Sequence, residues 1–536
     1  MKRVLLSLAF LGVSVWCPAA NLLVNSQSDF NTMPVKIGEM LTRGEREVTV
    51  ELKAGGSFVF QNNHLNFSGW KFPEAIVRFE GNGARISGIG SGEEKWSEVM
   101  KASGRIRASR QNGNEFVLQA PGIGPYGNAT HILITEWYQS RIYKISEIRD
   151  GAVYFWAYDA DELNMDVQYS GEAPRFRLLC PGVTPSVADD GANGKAARLL
   201  AVYGAEFREL CFNNIHFDGN CNVSACLLDF TDMSADSVVV RNCQFSDIHS
   251  NLVHVSGVSA FRFRNNYIHH CFRSGVVSDN RSADTRVQNN RFEDCGLSLD
   301  MTSCVDCAGT DYYVADNSFR NFGSRAISAG VYFKSEKVCR SSGIVERNVI
   351  NYDSRWLDNA KEYTLMDTGA IYLTTFSDDA VIRFNRIFDY TGMKDNRGIF
   401  CDDGASGFTI YGNVVTGIRN SYSVDARRML SMEFLTGGRK VNTDNFLGSN
   451  VLEGPVRFEG RLLKGNCRKD TDYLLCPEGE ILPELELSGV SVSSADVKLY
   501  YASISEGIIF LSPGAMRRIR KWRYYPQMKE YFRKRI

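Results

Sequence analysis

One short pattern recurs between residues 200 and 420, and it constrains the fold more than any other feature of the chain. An asparagine-rich turn leads into an aromatic or aliphatic residue in NNIHF, RNCQF, RNNYI, NNRF, DNSF, RNVI, FNRI and GNVV. The residues reached are Phe217, Phe245, Ile268, Phe292, Phe319, Ile350, Ile387 and Val415, at spacings of 28, 23, 24, 27, 31, 37 and 28. Repeats of this length suit a three-strand coil with loops of variable length. We therefore predict a solenoid of stacked β-coils.

A second column of residues follows the first at constant phase. Three positions beyond six of these landmarks stand Ile248, Cys271, Cys295, Phe322, Tyr390 and Ile418. Equivalent residues of stacked coils pack on each other about 4.8 Å apart, so this nearly apolar column is predicted to face inward. Cys271 and Cys295 are then small core residues. The asparagines are predicted to form ladders or to satisfy turn backbone.

A third alignment starts from the small residues Gly275, Gly296, Gly330, Ala370 and Gly398 and predicts an outward face. Strand alternation turns the second and fourth positions beyond each small residue outward. The second positions are Val277, Ser298, Tyr332, Tyr372 and Phe400, and the fourth are Asp279, Asp300, Lys334, Thr374 and Asp402. We interpret this row as a solvent-exposed platform for sugar rings. The alternative is that its aromatic residues pack beneath an inserted subdomain or a loop.

Composition and the chain ends bear on compartment and partners. Residues 1–20 resemble a Sec-type signal peptide, with Lys2 and Arg3 before a short apolar core. We expect a bacterial protein that is secreted, periplasmic or on the cell surface; a buried N-terminal strand is the alternative. The formal net charge of −1 gives no reason to expect a nucleic-acid partner. Cys467 and Cys476 are the most plausible disulfide.

The pattern divides the chain into six segments. We predict an N-terminal cap and first coils over 21–88, with a short helix at 34–43, and an inserted β-rich subdomain over 89–196. The repeats with the active-site face span 197–455, a C-terminal β cap spans 456–512, and a basic aromatic tail spans 513–536. The tail is either solvated or in contact with an anionic envelope surface.

With its Asn-x-Ile repeats and the segments GAIY (369–372) and GIFCDDGAS (398–406), the chain resembles the right-handed parallel β-helix superfamily of carbohydrate-active enzymes, the pectate-lyase-like fold. It is most similar to the glycoside hydrolases of that superfamily, over residues 34–88 and 200–455. The resemblance implies an all-β right-handed parallel β-helix, a polysaccharide or oligosaccharide substrate, and acidic catalytic residues on the helix face. Carried onto this sequence, these acids are Asp402, Asp403 and Asp367.

Glycoside hydrolysis needs two carboxyl groups, about 5 Å apart for retention or about 6.5–9.5 Å for inversion, and neighbouring coils supply such spacings. Asp402 is outward by alternation, Gly404 can turn Asp403 outward, and Asp367 is the weakest of the three because it precedes its strand. A solvated turn at 402–404 is the non-catalytic alternative. The predicted substrate-binding residues are Tyr332, Lys334, Tyr372, Thr374, Arg397, Phe400 and Asp300.

Two other functions stay open. A polysaccharide lyase would need a base such as Lys334 or Arg397, and Arg325 or a calcium ion to neutralise a uronate carboxylate. A non-catalytic glycan-binding solenoid would use the aromatic residues and not the aspartates. We expect a monomer without a cofactor, with calcium expected only for a lyase; zinc at Cys304 and Cys307 is disfavoured because no second cysteine pair lies nearby.

Overall fold

The structure is a computed structural model. The residues that it describes are 19–60, 64–88, 99–100, 108–112, 115–119, 131–135, 140–156, 175–179, 198–220, 226–248, 250–271, 273–296, 302–330, 341–351, 368–388, 397–415, 420–425, 445–448, 451–453, 456–459, 467–469 and 473–475.

The N-terminal elements form one helix and the first strands. They are β1 (Ala20–Val24), α1 (Gln27–Thr42), β2 (Glu47–Leu52), β3 (Ser57–Phe60), β4 (Leu65–Asn66) and β5 (Lys71–Gly88). Ser26 caps α1 by accepting a hydrogen bond from the backbone N–H of Asp29. The helix begins at Gln27, earlier than the predicted residue 34. Pro34 lies inside it, although proline normally marks the start of a helix.

Helix α1 closes the N-terminal end of the solenoid. Its buried side chains are Phe30, Met33, Ile37 and Leu41, and they join the interior core. The Phe30 ring stacks on Phe58 of β3 at a centroid distance of 5.0 Å. The helix therefore covers the first coil, as a solenoid end requires.

A separate antiparallel sheet follows, in the order β6-β12-β9-β10-β11-β8-β7. Its strands are β6 (Val99–Met100), β7 (Ala108–Asn112), β8 (Glu115–Gln119), β9 (His131–Thr135), β10 (Ser140–Arg149), β11 (Ala152–Trp156) and β12 (Arg175–Leu179). Strands β10 and β11 form a hairpin that turns at Asp150 and Gly151, both with positive φ.

The chain then returns to short, regularly repeating strands. These are β13 (Leu200–Tyr203), β14 (Glu206–Asn220), β15 (Cys226–Thr231), β16 (Ser237–Arg241), β17 (Gln244–Ile248), β18 (Asn251–Ser256), β19 (Phe261–Arg264), β20 (Tyr267–Cys271), β21 (Val276–Ser278), β22 (Arg286–Gln288), β23 (Arg291–Cys295), β24 (Ser303–Cys307), β25 (Tyr312–Ala315), β26 (Ser318–Phe322), β27 (Arg325–Ala329), β28 (Ser342–Glu346) and β29 (Val349–Asn351).

The last described strands include two long ones that bend from one face of the solenoid to the next. They are β30 (Gly369–Arg383), β31 (Arg386–Phe388), β32 (Arg397–Tyr411), β33 (Val414–Val415), β34 (Asn420–Asp425), β35 (Asn445–Gly448), β36 (Val451–Glu453), β37 (Val456–Glu459), β38 (Cys467–Lys469) and β39 (Tyr473–Leu475). Parallel pairing continues to β39, so coils extend beyond residue 455.

Parallel pairing between successive coils builds three sheets. Sheet 1 contains β4, β13, β15, β18, β21, β24, β27, the first halves of β30 and β32, β34 and β37. Sheet 2 contains β1, β2, the middle of β5, the first half of β14, β16, β19, β22, β25, β28, the second halves of β30 and β32, β35 and β38. Sheet 3 contains β3, the ends of β5 and β14, β17, β20, β23, β26, β29, β31, β33, β36 and β39. The predicted right-handed parallel β-helix is confirmed.

The landmark residues of the repeat form one inward column of sheet 3. Each of the eight, from Phe217 to Val415, pairs with its equivalent on the next coil, and all are buried. The rings of Phe217 and Phe245 stack at 4.9 Å. Cys271 and Cys295 are paired and buried in the core, so the prediction that they pack there is confirmed.

An asparagine ladder runs through the turn between sheets 2 and 3. Its members are Asn266, Asn290, Asn317, Asn348, Asn385 and Asn413. Each amide Nδ2 of the first five donates to the Oδ1 of the next member and to a backbone carbonyl. The residue before each member has positive φ, as at Asn265 and Asn289. The predicted ladder is confirmed.

Eight cysteines are buried thiols outside any disulfide: Cys211, Cys226, Cys243, Cys271, Cys295, Cys304, Cys307 and Cys401. The predicted Cys467–Cys476 disulfide involves a residue outside the described ranges. Of the helices described, none combines the length and apolar character needed to cross a membrane.

Candidate functional site

The candidate site lies on the outward face of sheet 1, where β30 and β32 run side by side. Ile371, Leu373, Ile399 and Cys401 belong to the interior core. The residues that alternate with them form a second row, in which Tyr372 pairs with Phe400 and Thr374 pairs with Asp402. Alternation therefore turns this second row away from the core, as predicted for these four residues.

The row is buried, although it lies outside the solenoid core. Tyr372 is 1% exposed, Phe400 is 0% exposed, and Thr374 is also buried. The two rings meet edge to face at 5.4 Å. The prediction of a solvent-exposed aromatic platform is therefore wrong for Tyr372 and Phe400, because both rings are buried.

Asp402 is held by a neighbouring tyrosine. The Tyr372 hydroxyl donates a 2.6 Å hydrogen bond to Asp402 Oδ2, and Asp402 is 4% exposed. A short hydrogen bond from a phenol to a buried carboxylate fixes the orientation of the carboxylate and stabilises its negative charge. The Asp402 carboxylate can therefore accept a proton, or stabilise a developing positive charge, at a defined position.

Two arginines flank the aromatic pair. The Arg325 guanidinium carbon lies 3.4 Å from the ring centre of Tyr372, and that of Arg397 lies 4.0 Å from the ring centre of Phe400. Both arginines are buried. Stacking of a guanidinium on an aromatic face leaves its in-plane N–H groups free to point elsewhere.

Asp306 is a functional candidate that sequence reasoning missed. It occupies the outward position of β24 and pairs with Ser328, which in turn pairs with Tyr372. Desolvation raises the pKa of Asp306, although part of the residue reaches solvent; the charge of Arg325 and a hydrogen bond with Ser328 oppose that rise. Its position between the inward residues Val305 and Cys307 was the available sequence signal.

Three predicted site residues are not described by the structure. Asp300, Tyr332 and Lys334 lie outside the described residues, and the strands that fill their places are β24 and β27. The alignment fails because Gly296 and Gly330, with φ of 71° and 107°, end strands instead of opening them. Asp279 has a structural role, since it forms an ion pair with Arg281 and accepts a hydrogen bond from Ser256.

The other predicted acids are only partly placed. Asp367 lies outside the described residues. Asp403 falls where β32 carries extra residues relative to β30, and its side chain lies outside the description. Asp425 was not predicted, yet the pairing of Val424 with Cys401 puts its backbone beside that of Asp402, and Glu459 follows on the next coil. Acidic residues thus occupy this column on three successive strands.

A second polar cluster lies on the same face, toward the N-terminus. Asp229 accepts hydrogen bonds from the Tyr203 hydroxyl at 2.7 Å and bonds with His254 Nδ1 at 3.0 Å. Burial would raise the pKa of Asp229, but the hydrogen bonds of His254 and Tyr203 outweigh it and lower the pKa. Burial and Asp229 raise the pKa of Tyr203 to about 12. Among the side chains described, no three His, Cys, Asp or Glu residues are grouped to hold a metal ion.

Topology and sequence together identify the chain as a right-handed parallel β-helix protein. A family model described as "Right handed beta helix region" matches residues 201–429, in agreement with the three parallel sheets.

Comparison with solved structures finds distant similarities. A structure titled "Glycoside hydrolase" is 9% identical, with 85% of this chain and 96% of that chain covered and a TM-score of 0.40. An alginate lyase from Paenibacillus sp. str. FPU-7 is 11% identical, with 84% and 99% covered and a TM-score of 0.29. A search of curated proteins found no match. Both titles describe carbohydrate-active enzymes, and at this distance neither activity transfers to the chain.

Proposed function

We propose that this chain is a carbohydrate-active enzyme that hydrolyses glycosidic bonds of a polysaccharide or oligosaccharide. The observation that carries the proposal is the buried Tyr372–Asp402 hydrogen bond on the outward face of sheet 1. Buried carboxylates with defined partners outside the core are typical of acid–base and nucleophilic sites. Signal-peptide cleavage near residue 20, secretion and action as a monomer belong to the same proposal.

The second carboxyl group is proposed to be Asp425. Its backbone is one strand from Asp402, about 4.8 Å away, and retaining glycosidases hold their carboxyl groups about 5–5.5 Å apart. Asp402 then acts as the nucleophile, because the Tyr372 hydroxyl stabilises its ionised form, and Asp425 acts as the acid. Asp403 and Asp367 are the alternative acids.

Digestion of a panel of plant and host glycans by the full chain tests the proposal. We expect new reducing ends and no ultraviolet-absorbing unsaturated sugar. Asp402→Asn is expected to lower kcat about 10²–10⁴-fold, because an amide cannot ionise and therefore cannot act as the nucleophile. The exposed Asp311 provides a matched control: Asp311→Asn keeps full activity, since asparagine accepts its positive φ. Full activity of Asp402→Asn would refute the assignment.

A polysaccharide lyase is the second candidate. Arg325 and Arg397 favour it, because β-elimination needs a cation beside a uronate carboxylate. A lyase would leave an unsaturated, ultraviolet-absorbing sugar at each new end in the same digestion. A polymer left intact but bound would instead support a non-catalytic glycan-binding solenoid.

A further inference from the structure

The ring of Tyr372 is held by residues of both neighbouring strands of sheet 1. On one side, the guanidinium carbon of Arg325 in β27 lies 3.4 Å from the ring centre. On the other side, Phe400 in β32 meets the ring edge to face at 5.4 Å. Because the ring is buried between two strands, a change in its orientation would have to displace one of these contacts. The direction of its hydroxyl is therefore fixed.

Arg325 is anchored in turn by the next strand. The residue is buried, and the charge of its guanidinium acts on the Asp306 carboxyl of β24. Desolvation raises the pKa of Asp306 and the charge of Arg325 opposes that rise, so the two groups attract each other when Asp306 is ionised. Asp306 also forms a hydrogen bond with Ser328, its partner in the strand pairing. The acid on one side and the aromatic face on the other hold the guanidinium against Tyr372.

The positive charge of Arg325 reaches Asp402 through the phenol. A cation over an aromatic face polarises the ring, and a polarised phenol is a stronger hydrogen-bond donor. The Tyr372 hydroxyl donates to Asp402 Oδ2 at 2.6 Å, and both side chains are buried. A stronger hydrogen bond and a nearby cation both favour the ionised form of a carboxyl group. The contacts thus run in a series from Arg325 through Tyr372 to Asp402.

We propose that Arg325 is a positioning residue for the reaction at Asp402: through the Tyr372 ring, it keeps the Asp402 carboxylate ionised and in one orientation. This role rests on the proposed function, in which Asp402 is the nucleophile, because a carboxyl group attacks only when it is ionised. Arg325 acts through another side chain and need not touch the substrate. The role therefore requires no charge on the sugar.

A titration without substrate tests the series in the full chain. Labelling with 3-fluorotyrosine gives each tyrosine a fluorine NMR resonance, and the resonance missing from Tyr372→Phe belongs to Tyr372. Its chemical shift is followed from about pH 3 to pH 8. We expect the shift to change as Asp402 takes up a proton, because the hydrogen bond from the hydroxyl then weakens. Asp402→Asn should abolish that change.

Arg325→Met removes the charge and keeps an unbranched side chain over the ring. The midpoint of the titration should rise by at least about half a pH unit, because loss of a nearby cation favours the neutral carboxyl group. Arg325→Lys keeps a cation over the ring and should keep the midpoint close to that of the wild type. A merely structural role for Arg325 would not make the midpoint follow the charge. If Arg325→Met fails to fold, Arg325→Gln gives the same comparison.

Arg386→Met is the matched control, because the Arg386 guanidinium also lies over an aromatic ring, that of Phe388, but on sheet 3. It should leave the Tyr372 titration unchanged. Kinetics give a second measurement with the glycan of the panel from which the wild type releases reducing ends. In Arg325→Met, the acid limb of the kcat–pH profile should move upward by the same amount as the midpoint, with KM unchanged.

Equal midpoints in the wild type and Arg325→Met would overturn the inference. An equal rise in Arg386→Met would also overturn it, as would a Tyr372 resonance that does not move with pH in any of these proteins. These outcomes are separate from those of the proposed function. A raised midpoint in a chain that cleaves no glycan defeats the hydrolase and leaves the series. Equal midpoints in a chain that cleaves glycans through Asp402 defeat the series and leave the hydrolase.

Discussion

The asparagine ladder provides the sharpest test of how the coils hold together. Asn290 is 2% exposed, and its side chain makes four hydrogen bonds. Its Oδ1 accepts from the backbone N–H and from Nδ2 of Asn266, at 2.9 and 3.1 Å. Its Nδ2 donates to the Phe263 carbonyl and to Asn317 Oδ1, both at 3.0 Å.

Asn290→Ala would remove all four bonds. The Asn266 N–H and the Phe263 carbonyl would lose their side-chain partner, whereas Asn317 Oδ1 would still accept from the backbone N–H of residue 290. At about 1 kcal/mol for each net hydrogen bond, the free energy of unfolding should fall by about 4 kcal/mol. Burial of the unsatisfied groups prevents water from recovering the loss.

The neighbouring asparagine is the control. Asn289 is exposed and has a φ of 55°, so Asn289→Gly keeps its backbone conformation and should change the unfolding free energy by less than about 1 kcal/mol. Urea unfolding followed by far-ultraviolet circular dichroism measures both variants. A loss below about 1 kcal/mol in Asn290→Ala, or equal losses in the two variants, would refute this account of the ladder.

Two aspartates on sheet 1 should give opposite pH dependences of stability. Desolvation raises the pKa of Asp306, so its ionised form destabilises the fold once the pH exceeds the pKa of the unfolded chain. Asp306→Asn should therefore raise the melting temperature at pH 7 and leave it unchanged at pH 3. The pKa of Asp229 is lowered, so its carboxylate stabilises the fold at neutral pH, and this stabilisation is lost as the pH falls below about 3.8. Asp229→Asn should therefore melt at a lower temperature than the wild type at pH 7, and the difference should shrink in acid. Melting curves from pH 3 to 8 check both, and a variant whose effect is independent of pH contradicts its assignment.

Repetition explains why the scaffold is predictable from the sequence. A side chain such as Phe245 or Ile268 packs on its own equivalent one coil away, so the same chemical type returns at the same phase. The ladder asparagines obey the same rule, because the side chain of each bonds to the amide in register on the next coil. Helix α1 was predicted only in part, since Pro34 lies inside it. The Phe30 carbonyl, which a backbone N–H at residue 34 would have reached, bonds instead with His64 Nε2 at 3.0 Å.

The candidate site is less predictable because it does not repeat. Glycine marks both strand starts and strand ends. The alignment took Gly296 and Gly330 as strand starts, although each follows the end of a strand, and Asp306 therefore went unnoticed. Alternation gave the outward direction of Tyr372 correctly but carries no information about what covers it. Tyr372 is contacted by Arg325 from the neighbouring strand β27, and no local pattern in β30 reports that contact.

The helix over the first coil has a consequence for assembly. Each sheet of a solenoid ends in a strand with unpaired backbone N–H and C=O groups, which is a template for another strand. Phe30 of α1 stacks on Phe58 at that end, so an incoming strand would have to displace a packed ring. At this end of the solenoid, the helix thus blocks the strands of a second molecule from pairing with the first coil. It thereby opposes the end-to-end growth of such molecules into a fibril.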